Sequence, residues 1–312
     1  MPAAIDGLTR PQTAAVTHPG GPLLVSGPAG TGKTTVLERR FAWLVEQGTA
    51  PDAVLALALS GPAAAATQAR VEALVEPPYD ELRVESFRAF CARLLRDEAV
   101  EAGLDPAFAP VTPADRVALL LDCISELRLR HHEIGGNPAA LLAAFVARID
   151  RLKEEMVGAE ELLAHSEARF AADRDGDDAS RARAARELEF AGVYCDHERL
   201  LGERGAVDTG DLVLRAFRLL HERPHVRERT ARRFGHVLVD EYQDLNFAQT
   251  MLLGLLAEQH GQITAVGDPA AAIHRYGGAG EKNFDDYRAA FEPVTEVELV
   301  ESLRPRPASV RF

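Results

Sequence analysis

Short apolar runs recur in the first and last thirds of the chain, and most of them are followed by apolar residues at helical spacing. A continuously apolar run such as Val54–Leu59 is typical of a strand that is buried on both faces of a parallel sheet. The alternation of such runs with helical segments predicts a doubly wound α/β sheet. The predicted strands are Leu23–Val25, Val54–Leu59, Leu82–Val84 (the weakest), Val237–Val239, Ile263–Val266 and Val297–Val300.

Helical signals accompany these strands. Thr9 and Pro11 have the positions of a capping residue and a first-turn residue for a short helix that ends near Val16. Further helices are predicted to begin near Lys33 and to cover Pro62–Val75, Ser86–Glu98 and Asn246–Glu258.

The middle of the chain has a different character. From about Val100 to Arg229 there is helical periodicity and no convincing strand. Helices are predicted around Val117–Leu127, Leu141–Leu152, Glu160–Ala171 and Arg181–Leu201. We interpret residues 100–229 as an all-helical insertion into an α/β domain that is formed by residues 1–99 and 230–312.

Composition places the chain among globular proteins. Of its 312 residues, 46% are hydrophobic and 27% are charged, which excludes a disordered chain. No apolar run approaches the ~20 residues that a bilayer span needs, and the N-terminus lacks the pattern of a signal peptide. The three cysteines are far apart and fit neither a disulfide framework nor a metal cluster, so we expect a cytoplasmic protein without a membrane partner. The net charge of −13 argues against nucleic acid, but only weakly, because a basic groove can lie on an acidic protein.

One glycine-rich stretch carries strong chemical information. Gly27, Gly32, Lys33 and Thr34 have the spacing G-x-x-x-x-G-K-[ST] between a predicted strand and a predicted helix, which is typical of a phosphate-binding loop. Backbone N–H groups would cradle a polyphosphate, Lys33 would reach the β- and γ-phosphates, and Thr34 would bind Mg²⁺. The alternative is a glycine-rich loop without a ligand. The expected nucleotide-binding residues are Gln12 (whose role rests on a resemblance given below), Gly27, Pro28, Ala29, Gly30, Thr31, Gly32, Lys33, Thr34 and Thr35.

A pair of carboxylates follows the predicted strand Val237–Val239. Asp240 and Glu241 would lie beside the phosphate loop if that strand belongs to the same sheet. Asp240 would then hold Mg²⁺, directly or through water, and Glu241 would orient and partly deprotonate the attacking water. The alternative is an acidic helix start after a strand. His131-His132-Glu133 also contains metal-ligand types, but no third ligand follows at a suitable spacing, so we expect no metal there.

The stretch Asp240-Glu241-Tyr242-Gln243-Asp244, with Asn246 after it, resembles the D-E-Y-Q-D-x-N signature of the UvrD/Rep/PcrA-like superfamily 1 DNA helicases. Other segments resemble further motifs of that family in the same order. They are Leu8–Gln12 (the adenine-reading Q motif), Ser86–Cys91 (T-F-H-S-F-C), Asp208–Leu212 (D-F-D-D-L), Val266–Asp268 with Ile273 and Arg275 (V-G-D-x-x-Q-S-I-Y-R), and Ser302–Arg304 (N-Y-R).

The resemblance implies a P-loop NTPase of the RecA-like type, with a parallel sheet flanked by helices and an inserted helical subdomain. It implies ATP and Mg²⁺ as ligands, and a contact between Gln12 and adenine. Gln243 would contact the γ-phosphate region and link it to the DNA side. Arg304 would stabilise the γ-phosphate in the transition state, so the expected catalytic residues are Lys33, Glu241, Gln243 and Arg304.

The segments that face DNA in the family depart from its pattern. The family's T-F-T-N-K is represented by residues 58–62, so a leucine, Leu59, replaces the stacking aromatic, and Pro62 replaces the lysine. In the later motif, Ala271 replaces the glutamine that senses the γ-phosphate, and Gly277 replaces an arginine. The residues that retain a DNA-contacting type are Ser60, Phe87, Arg88, His274 and Tyr276.

These observations favour the ATP-binding motor half of a UvrD-like, ATP-dependent 3′-to-5′ DNA helicase that acts in repair or recombination. Its partners would be single-stranded or duplex-junction DNA and a second helicase or nuclease subunit. Two alternatives stay open: a helicase-like scaffold subunit that binds ATP but is catalytically weak, and a P-loop switch without nucleic acid. The family's second RecA-like domain would begin just after Arg304, so we expect weak or absent ATP hydrolysis by residues 1–312 alone.

Overall fold

The structure is a computed structural model that describes residues 3–132, 134, 136–173, 176–271 and 281–303. The chain divides into two compact units. The first consists of the described residues of Met1–Phe90 and Leu219–Phe312, and the second is Cys91–Arg218. The sequence analysis placed these two boundaries about ten residues later along the chain. Both boundaries fall inside helices, where periodicity gives no sign of a change of unit.

The first unit is built around a six-stranded sheet whose described strand pairs are all parallel. The spatial order of the strands is β3-β2-β6-β7-β1-β8. The predicted α/β class with a parallel sheet is therefore confirmed. The strands are β1 Leu23–Ser26, β2 Val54–Ala58, β3 Arg83–Ser86, β6 His236–Val239, β7 Ile263–Gly267 and β8 Thr295–Glu298.

The pattern of burial explains why some strands were easier to predict than others. Every residue of β2 and β7 is buried, as a strand covered on both faces requires. The edge strand β8 is largely exposed, and it begins two residues before the predicted apolar run. Leu299 and Val300 belong to a segment that leaves the sheet, so the end of this strand differs from the prediction.

Helices cover the sheet, and most of them begin and end within a few residues of the predicted positions. Thr9 caps the first helix, as the sequence indicated, and the structure shows that it also forms a capping box with Gln12. The helices that belong to the first unit or enter it are α1 Arg10–Val16, α2 Lys33–Glu46, α3 Gly61–Glu72, α4 Phe87–Asp97, α10 Thr209–Glu222, α11 Pro224–Arg233, α12 Phe247–Ala257 and α13 Glu281–Ala290.

A buried arginine fixes α2 beneath the sheet. Arg40 is 1% exposed, and its guanidinium donates to Thr264 Oγ1 in β7 at 2.8 Å and to the backbone oxygens of Val16 and His18 at 3.1 and 3.0 Å. Burial lowers the pKa of Arg40 to about 10, so the group stays charged at neutral pH. These bonds tie the helix that follows the phosphate loop to β7 and to the end of α1.

The second unit is mainly helical. Its core includes Leu120, Leu142, Ile149 and Phe190, all of which are fully buried. Two strands of two residues each, β4 Pro110–Val111 and β5 Val207–Asp208, form a parallel pair that the sequence analysis did not predict, because two residues are too few to show an alternating pattern. The helices of this unit are α5 Ala99–Ala102, α6 Pro113–Asp122, α7 Pro138–Glu154, α8 Ala159–Ala172 and α9 Asp178–Glu203.

Among the described residues, no helix combines the length and the apolar character that a membrane span requires.

Candidate nucleotide-binding site

The site lies at the carboxyl edge of the parallel sheet. The phosphate loop follows β1, the carboxylate pair follows β6, and Asp268 follows β7, which pairs with both of these strands. Parallel strands end at one edge, which is where open α/β sheets bind their ligands. The topology therefore brings together residues that are more than 200 positions apart in sequence.

The phosphate loop connects β1 to the first turn of α2. Gly32 precedes the helix with φ = +85°, a left-handed conformation that glycine adopts without strain. A Cβ at this position would lie 2.5 Å from Gln12 Nε2. Both observations explain why a glycine is needed immediately before Lys33.

Lys33 points into the loop that precedes it. Its Nζ donates to the carbonyl oxygens of Gly27 at 2.7 Å and Pro28 at 3.2 Å, and the residue is 9% exposed. The ammonium is thus held where a polyphosphate would lie if the loop wraps it. Phosphate oxygens are stronger acceptors than backbone carbonyls, so an incoming phosphate can exchange with them.

Thr34 and Asp240, the two expected magnesium ligands, are in direct contact. Thr34 Oγ1 donates to Asp240 Oδ2 at 3.1 Å, and the backbone N–H of Asp240 donates to Leu57 O at 3.1 Å. Burial and the negative charge of Glu241 raise the pKa of Asp240 to about 6, although the Thr34 hydrogen bond and Lys33 oppose the shift. A cation placed here would relieve the same unfavourable burial of charge.

Glu241 has an unusual backbone. Its φ is +51°, which lies in the left-handed region that residues other than glycine rarely adopt. Its N–H donates to Asp240 Oδ1 at 3.0 Å. Such a conformation costs of order 1–3 kcal/mol and is typically found at functional sites. Glu241 is exposed, as a base that orients water would need to be.

Gln243 links the carboxylate pair to the neighbouring strand. It is 2% exposed; its Nε2 donates to Glu241 Oε2 at 2.6 Å, and its Oε1 accepts the N–H of Asp268 at 2.9 Å. A Cβ on Gly267 would lie 2.4 Å from Gln243 Oε1, so this close approach requires a glycine at the end of β7. Gln243 therefore fixes the Glu241 carboxylate against β7.

Gln12 supports the phosphate loop. Its Oε1 accepts the N–H of Thr9 at 3.0 Å, and its Nε2 donates to the carbonyl of Thr31 at 3.0 Å. Gln12 is 2% exposed. The structure thus places Gln12 against the loop, and its expected contact with adenine stays a prediction.

The sequence analysis missed an ion pair that lies beside the site. Glu38 lies one helical turn after Thr34 in α2, and its buried carboxylate accepts a hydrogen bond from Arg70 Nε in α3. Burial and the charge of Asp240 raise the pKa of Glu38, while Arg70 opposes that shift. Helical spacing from Thr34 could have indicated Glu38, but nothing in the sequence pointed to Arg70 as its partner.

The segment after β8 crosses the phosphate loop. The N–H of Leu299 donates to Ser26 O at 2.7 Å, and the N–H of Leu303 donates to Gly30 O at 2.9 Å. Arg304, the expected arginine finger, follows directly and lies outside the described residues.

The expected DNA contacts are only partly accessible. Ser60 and Arg88 are exposed, and Ser60 caps α3 by accepting the N–H of Ala63 at 3.3 Å. Phe87 is 0% exposed, so its ring packs in the core and offers no face to a base. His274, Tyr276 and Gly277 lie outside the described residues.

These observations test the fit of Mg²⁺ and a nucleoside triphosphate. The hydroxyl–carboxylate pair supplies the oxygen ligands that Mg²⁺ prefers, and the start of α2 supplies backbone N–H groups and Lys33 for phosphates. The residues present therefore fit magnesium and a polyphosphate.

Among the described residues, one other group of metal-ligand types occurs, in the second unit. His197, Glu198 and Asp208 have ligand atoms within 4.8 Å of one another. However, Lys153 Nζ lies 2.6 Å from Glu198 Oε1 and 2.7 Å from Asp208 Oδ2, and Arg116 Nε donates to His197 Nε2 at 2.9 Å. The protein's own cations thus take the place of a metal in this cluster.

Comparison with known proteins agrees with the geometry. Residues 8–292 match the UvrD/REP helicase N-terminal domain. The chain is 32% identical over 312 residues to the ATP-dependent DNA helicase UvrD1 of Mycobacterium tuberculosis and 29% identical over 301 residues to the ATP-dependent DNA helicase PcrA of Bacillus subtilis. It is 28% identical over 305 residues to PcrA of Staphylococcus aureus.

The matches cover nearly all of this chain but a minor part of each relative. They include 96% of the chain for UvrD1 and for the Bacillus PcrA, and 97% for the Staphylococcus PcrA. The chain spans 38%, 38% and 39%, respectively, of the length of these relatives.

Proposed function

Because this chain belongs to the family of UvrD/REP helicase N-terminal domains, we propose that it is the ATP-binding motor half of an ATP-dependent 3′-to-5′ DNA helicase. The observation that carries the proposal is the contact between Thr34 and Asp240 at 3.1 Å beside Lys33, at the edge of a parallel sheet. In this assignment the first unit is the RecA-like domain and the second is its helical insertion.

Each residue of the site has a role in ATP hydrolysis. The start of α2 and Lys33 bind the phosphates, Thr34 and Asp240 would hold Mg²⁺, and Glu241 takes the proton of the attacking water. Gln243 holds Glu241 in place and connects it to β7 through Asp268. A bound Mg²⁺ would supply positive charge against the charge that develops on the phosphates. Arg304 is proposed as the arginine finger, and Gln12 as the adenine contact.

The DNA side of the proposal depends on the family and on exposed residues near the site. Ser60 and Arg88 are the described candidates for single-stranded DNA, with His274 and Tyr276 proposed from sequence. Leu57, two residues before Leu59, accepts a hydrogen bond from the backbone of Asp240, so this segment is adjacent to the metal site. Action in DNA repair or recombination, a cytoplasmic location and a second helicase or nuclease subunit are proposed with it.

We further propose that residues 1–312 alone hydrolyse ATP weakly or not at all. The relatives are more than twice as long, and the composite ATP site of this family needs a second RecA-like domain. A scaffold subunit that binds ATP without translocation is the second candidate function. The complete burial of Phe87 and the absence of a ring at Leu59 favour it, because base stacking is worth roughly 1–3 kcal/mol per base.

The decisive experiment measures ATP turnover with and without single-stranded DNA, for this chain and for any longer native form. Strong DNA stimulation of the longer form alone supports the motor proposal. ATP binding without stimulation in either form supports the scaffold.

Two variants test the assigned roles. Lys33→Ala should weaken nucleotide binding, and Glu241→Gln should preserve binding while removing turnover in the active form. Unchanged nucleotide affinity in Lys33→Ala would refute the phosphate-loop role, and turnover that survives in Glu241→Gln would refute the role of Glu241.

A further inference from the structure

A cleft in the second unit lies between α8, α9 and the segment around residues 128–131. Its volume is about 390 Å³, within the range of about 300–1,000 Å³ that small-ligand sites occupy. All of its lining residues belong to the second unit, so the phosphate loop takes no part in it.

The lining of the cleft includes two arginines. Arg128 and Arg130 are exposed, and neither side chain forms an ion pair with a described residue. The two carboxylates in the lining are already engaged. Glu189 accepts the N–H of His131 at 2.9 Å and lies 3.0 Å from His132 Nδ1, and Asp196 pairs with Arg199 at 3.2 Å. The lining thus holds two guanidinium groups without an ion-pair partner among the described residues, and these can bind an anion.

The lining also includes an exposed aromatic ring. Phe170 is 42% exposed, whereas every other described phenylalanine or tyrosine of this unit is less than a tenth exposed. Leu163 and Leu188 continue the apolar surface around it. A flat apolar ring and guanidinium groups in the lining of one cleft suit a ligand that combines a planar base with a phosphate.

A glycine lines the cleft. Gly192 lies in the middle of α9, and a Cβ added there would meet no atom within 4 Å. Glycine in a helix interior is less stable than alanine, and at position 192 it leaves this part of the lining without a side chain.

We propose that this cleft binds a nucleoside phosphate, with the base against Phe170 and the phosphate between Arg128 and Arg130. The ligand is either a free nucleotide or one nucleotide of a single strand. An acidic peptide would pair with the arginines but would not stack on the ring. The combination of arginines and an aromatic ring therefore favours a nucleotide. The free-nucleotide form of the proposal does not depend on the ATP site, whereas the single-strand form rests on the proposed helicase function.

The test fills the cleft without removing any charge. Gly192→Leu places a side chain in the cleft, and Gly202→Leu is the matched control, because Gly202 lies on the same helix, has open space around it and does not line the cleft. The probes are dTMP, followed by calorimetry, and a fluorescein-labelled oligo(dT), followed by anisotropy. Gly192→Leu should weaken probe binding by about tenfold or more, by analogy with the loss of a stacking contact, while Gly202→Leu leaves it unchanged.

A second pair of variants tests the charge and the ring. Arg128→Ser with Arg130→Ser should weaken binding and reduce the salt dependence of oligo(dT) affinity by about 0.7 per lost phosphate contact. Arg181→Ser with Arg232→Ser removes the same charge from exposed, paired arginines, neither of which lines the cleft or pairs with a lining residue, and should have little effect. Phe170→Ser should weaken the binding of both probes.

The outcomes separate the sources of the ligand. Binding of dTMP alone identifies a free nucleotide, and binding of oligo(dT) with the same variant pattern identifies a strand. The proposal is overturned if neither probe binds, if the two leucine variants behave alike, or if the two arginine pairs lose affinity equally. It is also overturned if a polyglutamate peptide displaces dTMP and Phe170→Ser has no effect.

Discussion

The carboxylate of Asp240 is destabilising in the protein without ligand. Burial and the charge of Glu241 raise its pKa from 3.8 to about 6. Between pH 3.8 and about pH 6 the folded state binds this proton more tightly than the unfolded chain does. The free energy of unfolding therefore falls as the pH rises through this range. A shift of about two units corresponds to about 3 kcal/mol at neutral pH as an upper limit. The site thus gives up stability for its capacity to bind a cation.

Asp240→Asn should therefore stabilise the ligand-free protein at neutral pH while abolishing its stabilisation by magnesium nucleotide. Near pH 4, where Asp240 is already protonated, the variant and the wild type should have similar melting temperatures. Calorimetric unfolding at the two pH values, with and without a magnesium nucleotide, measures both effects. An equal difference in melting temperature at both pH values would contradict the assigned pKa shift.

Gly267 is a second residue of the site, and its close neighbours leave no room for a side chain there. A Cβ there would lie 2.4 Å from Gln243 Oε1 and 3.0 Å from Phe284 Cζ. Gly267→Ala should destabilise the protein by about 1–3 kcal/mol through overpacking, and should displace Gln243 from the N–H of Asp268. Urea unfolding measures the cost.

The control for this prediction is Gly254→Ala, in the interior of α12 with no atom within 4 Å, which should stabilise by up to about 1 kcal/mol. In a Gln243→Ala background the cost of Gly267→Ala should shrink, because the clashing oxygen is gone. The same cost in both backgrounds would show that Gln243 is not the group that is displaced.

At the scale of elements, buried strands were the most predictable part of the molecule. The continuous apolar runs at Val54 and Ile263 correspond to strands that are buried throughout. The exposed edge strand β8 and the two-residue pair β4–β5 carry little apolar signal, so their bounds or existence could not be predicted. Motif spacing located the phosphate loop and the carboxylate pair, but side-chain partners between distant elements, such as Arg70 for Glu38, have no local signature.

The ion pair between Glu38 and Arg70 joins α2 to α3 beside the proposed magnesium site. Glu38 has a 6% exposed side chain and Arg70 a 54% exposed one. Arg70→Ala should cost about 1–2 kcal/mol, less than for a fully buried pair, because water partly solvates Arg70. In a Glu38→Gln background the same change should be nearly neutral, since no buried charge is left unpaired. Chemical unfolding of the four variants in this cycle measures the coupling, and strictly additive costs would refute it.

The buried cluster around Lys153 joins four elements of the second unit. Lys153 is 1% exposed, and its Nζ lies 2.7 Å from Asp208 Oδ2 and 2.6 Å from Asp211 Oδ1 and Glu198 Oε1. Lys153→Met should destabilise this unit by about 3–5 kcal/mol, because three carboxylates lose their central cation. The exposed pair of Arg181 and Asp178 provides the control, and Arg181→Met should cost no more than about 0.5 kcal/mol. Equal losses for the two variants in thermal unfolding would show that the cluster is not a stabilising centre.

For the molecule as a whole, the sequence predicted an α/β part and a helical part but not where one passes into the other. Both transitions occur within α4 and α10, whose helical patterns continue across the boundary. Composition does not change at these points, so periodicity placed the boundaries at later positions. The resemblance of Asp208–Leu212 to a family motif indicated that this segment matters, and its two carboxylates prove to be buried partners of Lys153.

The division into two units predicts that stability changes will be local. A magnesium complex of a non-hydrolysable ATP analogue should slow hydrogen exchange in residues 23–35 and 240–244, because these residues line the proposed site. Lys153→Met should speed exchange in residues 138–154 and 178–203 and leave exchange in the first set unchanged. Exchange measured by mass spectrometry on all combinations of variant and nucleotide tests this directly. If Lys153→Met accelerated exchange equally in β1 and β6, the two units would unfold as one cooperative structure, and ligand binding at the sheet edge would stabilise the helical unit as well.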